Sequence, residues 1–190
     1  MSKNTRSHID KSLQHLNKSL IAVPPMIEFK GWPLHAFEYP SQVLPNVWIS
    51  GIAFDDDLPK WCYENKFTHI LNACGSYGRI HYYKTHPLQY GIQYLELDIE
   101  DVPTVELAPF LGSVYKFLLN AFDFISPGFE NKILVHCIWG QSRSASCILY
   151  FIMKRWKINY DVALSLIRKT RSTIRPNSGF ETQLRTMNFT

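Results

Sequence analysis

One stretch of this sequence, Val135-His136-Cys137-Ile138-Trp139-Gly140-Gln141-Ser142-Arg143-Ser144, combines residue types that could carry out a reaction on a bound anion. Cys137 stands six residues before Arg143, and the loop between them is Ile138, Trp139, Gly140, Gln141 and Ser142. A thiolate is a strong nucleophile, and a planar guanidinium can hold two oxygens of a phosphate at once. A loop running into a helix also offers free backbone N–H groups and the positive end of the helix dipole. Those same donors favour ionisation of a thiol. A free cysteine titrates near about 8.5, whereas cysteines beside helix N-termini and cations fall to roughly 3.5–7.5. The spacing therefore points to attack of the Cys137 sulfur on a phosphorus held by Arg143 and the amides of residues 138–142. Composition alone would give His-Cys, Gly, Arg and Ser at these separations with probability on the order of 10⁻⁵. A structural cysteine beside an unrelated surface arginine is a poor account of the segment.

Departure of a serine or tyrosine oxyanion needs a proton donor. Acidic residues cluster in Glu96-Leu97-Asp98-Ile99-Glu100-Asp101, just after a β-rich run. Asp98 lies nearer the strand end and Asp101 further along a loop stiffened by Pro103. Residue types leave both open. No spacing of His, Cys, Asp and Glu suggests a metal site, so neither metal nor cofactor is expected.

These groups need a scaffold that delivers them to one place. From Val43 onward, strand-like and helix-like patterns alternate. Strands are expected at residues 47–49, 68–73, 92–97 and 132–136, and the last is apolar enough to be buried on both faces of a sheet. Helices are expected over residues 58–66, 107–125, 142–156, 160–171 and 179–188, with Pro127-Gly128 ending the second. Alternation of this kind implies an α/β fold: a central, mostly parallel sheet with helices on both faces. Ligands of such sheets bind outside the carboxyl ends of the strands, where the Cys137 loop falls. Arg168, Lys169, Arg171 and Arg175 read as a solvated helix face that could also steer acidic phosphopeptides.

The first 42 residues are different in character. Ile9, Leu13, Leu16 and Leu20 recur at helical spacing, which suggests a short amphipathic helix ending before Pro24-Pro25. An extended, proline-rich connection follows, so residues 1–42 read as an arm and 43–190 as one domain. At 190 residues, 46% hydrophobic and 19% charged, the chain has the balance of a globular protein. Its longest apolar run, Cys147 to Met153, is far short of a membrane span. The residues after Met1 form no signal-peptide core and include no glycine at position 2. Four cysteines do not make a disulfide framework, which suggests a reducing, cytoplasmic setting with the nucleus left open. A net charge of +4 favours an anionic partner without implying nucleic acid or membrane.

His136-Cys137, five residues, then Arg143-Ser144 resembles the signature of the dual-specificity phosphatases, within the cysteine-based protein tyrosine phosphatase superfamily. The likeness extends to Val43-Leu44-Pro45-Asn46-Val47-Trp48-Ile49-Ser50-Gly51, to Ile70-Leu71-Asn72, and to Arg175-Pro176-Asn177-Ser178-Gly179-Phe180 with Gln183-Leu184. The resemblance implies hydrolysis of phosphorylated proteins, at phosphotyrosine and phosphoserine or phosphothreonine, through a phosphocysteine. It points to Asp101 as the acid, seven residues after Tyr94. It implies that Ser144 assists thiolate release and that His136 shapes the loop and helps keep Cys137 ionised. Trp139 departs from the small residue usual there and would either pack on the domain or touch substrate at the rim. A phosphatase of RNA ends, lipid or carbohydrate, or a phospho-binding scaffold without turnover, would be the alternatives. Cys74 is expected to end its strand beside Cys137; it reads first as a small buried hydrophobe, and its placement also resembles superfamily members in which such a cysteine forms a reversible disulfide with the catalytic one.

Overall fold

The computed structural model describes residues 40–52, 57–123, 125–126 and 129–189. The expected amphipathic helix at Ile9–Leu20, most of the proline-rich connection and Pro127-Gly128 lie outside these residues. Along the chain run β1 (Ser41–Leu44), β2 (Val47–Ser50), α1 (Leu58–Glu64), β3 (His69–Asn72), α2 (Gly75–Tyr82), a 3-10 turn (Pro87–Tyr90) and β4 (Gln93–Glu96). Then follow α3 (Ala108–Phe122), a short hairpin of β5 (Ile125–Ser126) and β6 (Phe129–Glu130), β7 (Ile133–His136), α4 (Arg143–Trp156), α5 (Tyr160–Arg168) and α6 (Ser178–Thr186).

The main sheet has the order β1-β2-β7-β3-β4. Only β1 is antiparallel; β2, β7, β3 and β4 run parallel to one another. The alternation of side chains along each strand sends them to two separate cores. Val47, Ile49, Leu71, Ile133 and Val135 join the larger core with buried residues of α3, α4, α5 and α6. Trp48, Ile70 and Leu134 face the other way, onto Leu58, Trp61 and Cys62 of α1 and onto Phe67 and Ile92. This is the expected α/β architecture, and β7 is buried on both faces, as its unbroken apolar run requires.

Several boundaries differ from the sequence reading. Ser41 and Gln42 pair with Ile49 and Trp48, so the sheet takes in two residues assigned to the arm. Helix α3 ends at Phe122 rather than residue 125, because Ile125 is used in the hairpin, opposite Glu130. Helix α5 ends at Arg168 rather than residue 171. Helix α2 was not expected, since Gly75 and Gly78 give its sequence the look of a turn. Gly75 has φ +55°, and a Cβ there would come within 2.7 Å of the Asp98 backbone. The glycine is thus needed for a close approach at the start of α2.

Candidate active site

Strand β7 delivers His136 and Cys137 to the carboxyl edge of the sheet, and α4 starts at Arg143. The loop between them is turned so that its carbonyls face the protein. Ile138 O accepts from Ile52 N–H at 3.0 Å, Gln141 O from Arg175 N–H at 2.9 Å, and Ser142 O from Ser146 N–H at 2.8 Å. Arg171 serves the other two carbonyls, donating from Nε to Gly140 O at 3.0 Å and from Nη2 to Trp139 O at 3.3 Å. None of the backbone N–H groups of residues 138–142 has an acceptor among the described residues. Carbonyls held outward and amides left unmatched make a concave anion site, reinforced by the N-terminus of α4. Gly140 makes the turn possible. Its φ is +63°, and a Cβ would strike the Ser50–Gly51 peptide at the end of β2.

Cys137 is 1% exposed. Its Sγ lies 3.2 Å from Ser144 Oγ. Arg143 Nη1 donates to Ile99 O at 3.2 Å, while its buried Nε makes no hydrogen bond. Nε stands 3.4 Å from Asp101 Oδ2. Asp101 Oδ1 accepts from Ser142 Oγ at 2.6 Å and from Asn177 Nδ2 at 2.9 Å. Asp98 sits elsewhere, its carboxylate against Gly75 at the start of α2. The structure brings Asp101, not Asp98, to Arg143 and the Cys137 loop.

His136 is fully buried, and its Nε2 is 2.7 Å from Tyr83 Oη. Burial pushes its pKa down to about 3, with the nearby Arg143 charge acting in the same direction. The imidazole is therefore neutral at pH 7. The neutral ring is fixed by its contact with Tyr83 directly ahead of Cys137. Trp139 is 53% exposed, so it stands at the rim rather than packing into the domain.

Cys74 is 2% exposed and, like Cys62, Cys137 and Cys147, a free thiol. It follows β3, whose Asn72 pairs with His136 of β7, so the two cysteines do end neighbouring strands. Its Sγ donates to Asn72 Oδ1 at 3.1 Å. Burial first, and the nearby Cys137 second, push the Cys74 pKa up to about 12.

Arg171 overturns the reading of the basic cluster as wholly solvated. It is 6% exposed, and its Nη1 also reaches Ser41 Oγ of β1 at 3.2 Å. Burial lowers its pKa, while the negative form of Cys137 raises it. Sequence reasoning had no means of separating this arginine from its solvated neighbours. Asn177 and Tyr83 were also missed as parts of the site. Asn177 had a signal of its own, as an N-cap residue just ahead of an apolar helical pattern.

Residues 55–189 match the family model for the dual specificity phosphatase catalytic domain. The chain is 31% identical over 143 residues to the "Putative tyrosine-protein phosphatase R622" of Acanthamoeba polyphaga mimivirus, a match covering 74% of this chain and 58% of that relative. It thus spans somewhat over half of the viral protein's length. Among solved structures it is similar to the human tyrosine phosphatase-like serine/threonine/tyrosine-interacting protein, with 26% identity and a TM-score of 0.62, covering 76% of this chain and 92% of the other. Similarity to DUSP15 is 26% with a TM-score of 0.62, over 77% of this chain and 85% of that one. PTPMT1 in complex with PI(5)P shares the fold at 16% identity and a TM-score of 0.65, over 78% and 93% of the two chains. With the family match taking in β3, β4, β7, the Cys137 loop and the closing helix, the chain belongs to the dual-specificity phosphatase family.

Proposed function

We propose that this protein hydrolyses phosphotyrosine and phosphoserine or phosphothreonine in protein substrates through a phosphocysteine intermediate. The observation that carries this reading is the Cys137 loop itself, with five carbonyls tied outward, five amides unmatched, and Cys137 Sγ beside Ser144 Oγ. A phosphate dianion entering the loop takes up those amides and the Arg143 guanidinium, which places phosphorus over the Cys137 sulfur. Thiolate attack transfers the phosphoryl group while Asp101 protonates the departing oxygen. Asp101, now a carboxylate, takes a proton from water as that water attacks the phosphocysteine. Ser144 hydrogen-bonds the sulfur as it leaves with a negative charge. Arg143 and the loop amides stabilise the charge that spreads over the transferring group in both steps. Ile138, Trp139, Gly140, Gln141 and Ser142 bind the phosphate through their backbone, Ser142 also holds Asp101 through its hydroxyl, and His136 acts as support.

The test is a hydrolysis panel of phosphotyrosine, phosphothreonine and phosphoinositide substrates with the parent and Cys137→Ser. Turnover of the phosphopeptides, lost in the serine variant with substrate binding retained, is the expected result. A serine variant within tenfold of the parent would overturn the mechanism. Turnover confined to phosphoinositides would overturn the substrate class.

A further inference from the structure

Asp101 lies in the segment between β4 and α3, which is held in place by α6. The cap residue of α6, Asn177, uses both ends of its amide. Its Oδ1 accepts from Phe180 N–H at 2.9 Å and so starts the helix, while its Nδ2 donates to Asp101 Oδ1 at 2.9 Å. Its backbone N–H donates to Ser142 Oγ at 3.0 Å, and that hydroxyl donates in turn to the same Asp101 oxygen at 2.6 Å. Two residues on, Gly179 lies so close to the Pro103 carbonyl that a Cβ would not fit. One turn further, Gln183 closes the segment. Its Nε2 donates to Val105 O and its Oε1 accepts from Leu107 N–H, both at 2.8 Å. Asp101, Pro103, Val105 and Leu107 are thus set in turn against a single helix.

We propose that Asn177 is a positioning residue for the acid–base step, holding Asp101 at the mouth of the Cys137 loop through Asp101 Oδ1. The inference rests on the reading of Asp101 as the acid. With two donors on Oδ1, the oxygen left to carry and deliver the proton is Oδ2, the one that faces Arg143 Nε at 3.4 Å. Arg143 from α4 is the cation facing Asp101, Ser142 and Asn177 are its neutral partners, and Asp98, Glu100 and Glu106 are the other charges on its own segment. When a phosphate engages Arg143, Asn177 and Ser142 keep Asp101 in place.

Two variants separate positioning from capping. Asn177→Ser and Asn177→Asp both keep an oxygen able to cap α6, and both remove the Nδ2 donor. Thermal unfolding should leave their midpoints close to the parent, while kcat/KM on aryl phosphates with poor leaving groups should fall about 10- to 100-fold, the value of a hydrogen bond to a charged group. Good leaving groups, which need little proton donation, should be nearly unaffected. The alkaline limb of the kcat/KM profile should move to higher pH, further in Asn177→Asp, because losing a donor and gaining a like charge both disfavour the Asp101 carboxylate. In an Asp101→Ala background, Asn177→Ser should cause no further loss, since the two act as one unit. Equal losses on good and poor leaving groups, an unmoved pH limb, or full additivity in the double variant would each overturn the proposal. Absence of leaving-group dependence in Asp101→Ala alone would instead overturn the assignment of the acid on which it rests.

Discussion

A carboxylate three residues from another is hard to tell apart by type, yet the surroundings of Asp98 and Asp101 differ in every respect that matters to proton transfer. Asp98 rests against the glycine that opens α2, whereas Asp101 touches Ser142, Asn177 and the charge of Arg143. Asp101→Ala should therefore lower turnover of aryl phosphates with poor leaving groups by roughly 10²–10⁴-fold, the usual worth of a positioned acid, and matter much less for good ones. Asp98→Ala should show no such dependence, and the reverse pattern in a steady-state leaving-group series would reassign the acid. Arg171 supports a prediction of a different kind, because it binds loop carbonyls and not the phosphate. Lysine at this position keeps the charge but cannot reach both Gly140 O and Trp139 O with one rigid fork. Arg171→Lys should weaken competitive inhibition by inorganic phosphate about tenfold, a loss of one hydrogen bond to a charged group. Unchanged inhibition would mean that the loop holds its shape without it.

Elements matter here chiefly through where they end. The parallel pairing of β3 with β7 puts Asn72 opposite His136, so the chain leaves both strands at one edge and Cys74 emerges beside Cys137. Cys62 lies with α1 in the core on the other face of the sheet, out of reach. After mild peroxide, a Cys137 sulfenic acid condensing with the Cys74 thiol would form a disulfide and release water. The Cys74 pKa of about 12 keeps that thiol protonated, so trapping should be slow at pH 7 and faster as pH rises. Non-reducing peptide mapping should show a peptide joining the two cysteines. If none appears, and Cys74→Ser regains activity with added thiol as fully as the parent, no such switch operates.

At the scale of the whole molecule, the loop leaves the sheet from a strand whose last residue, His136, is fully buried. His136 is held at a pKa of about 3 by burial, against an unfolded value near 6.5. Between these values the unfolded chain binds a proton at this position and the native chain does not, so stability rises with pH across that window. It is fully present above about pH 6.5 and is lost as pH falls toward 3. His69, whose pKa burial also lowers, contributes with the same sign. Urea midpoints should drop between pH 7.5 and pH 5 in the parent and drop less in His136→Gln. Equal drops in both would place the acid sensitivity elsewhere. No helix among the described residues is long and apolar enough to cross a membrane.

The sequence by itself determined the class of fold and singled out the candidate centre, because both are written in local patterns. Cys137, Gly140 and Arg143 belong to one continuous loop whose geometry follows from chain spacing, and the apolar run of β7 announces a strand buried on both faces. The period-2 and period-3.6 patterns placed most strands and helices to within a few residues. Where the pattern gave way to turn-like glycines, as at Gly75 and Gly78, a helix was missed, since its start depends on the close fit against Asp98. Only the tertiary structure decided which arginine is buried, which acid meets the loop and what holds it there. Arg171 differs from Arg168 in no local feature, but the end of α5 turns it under carbonyls contributed by another segment. Asn177 reaches Asp101 across 76 residues of sequence, a separation at which spacing carries no information about contact. Such pairings arise from the order in which strands and helices pack, and that order is a property of the folded chain as a whole.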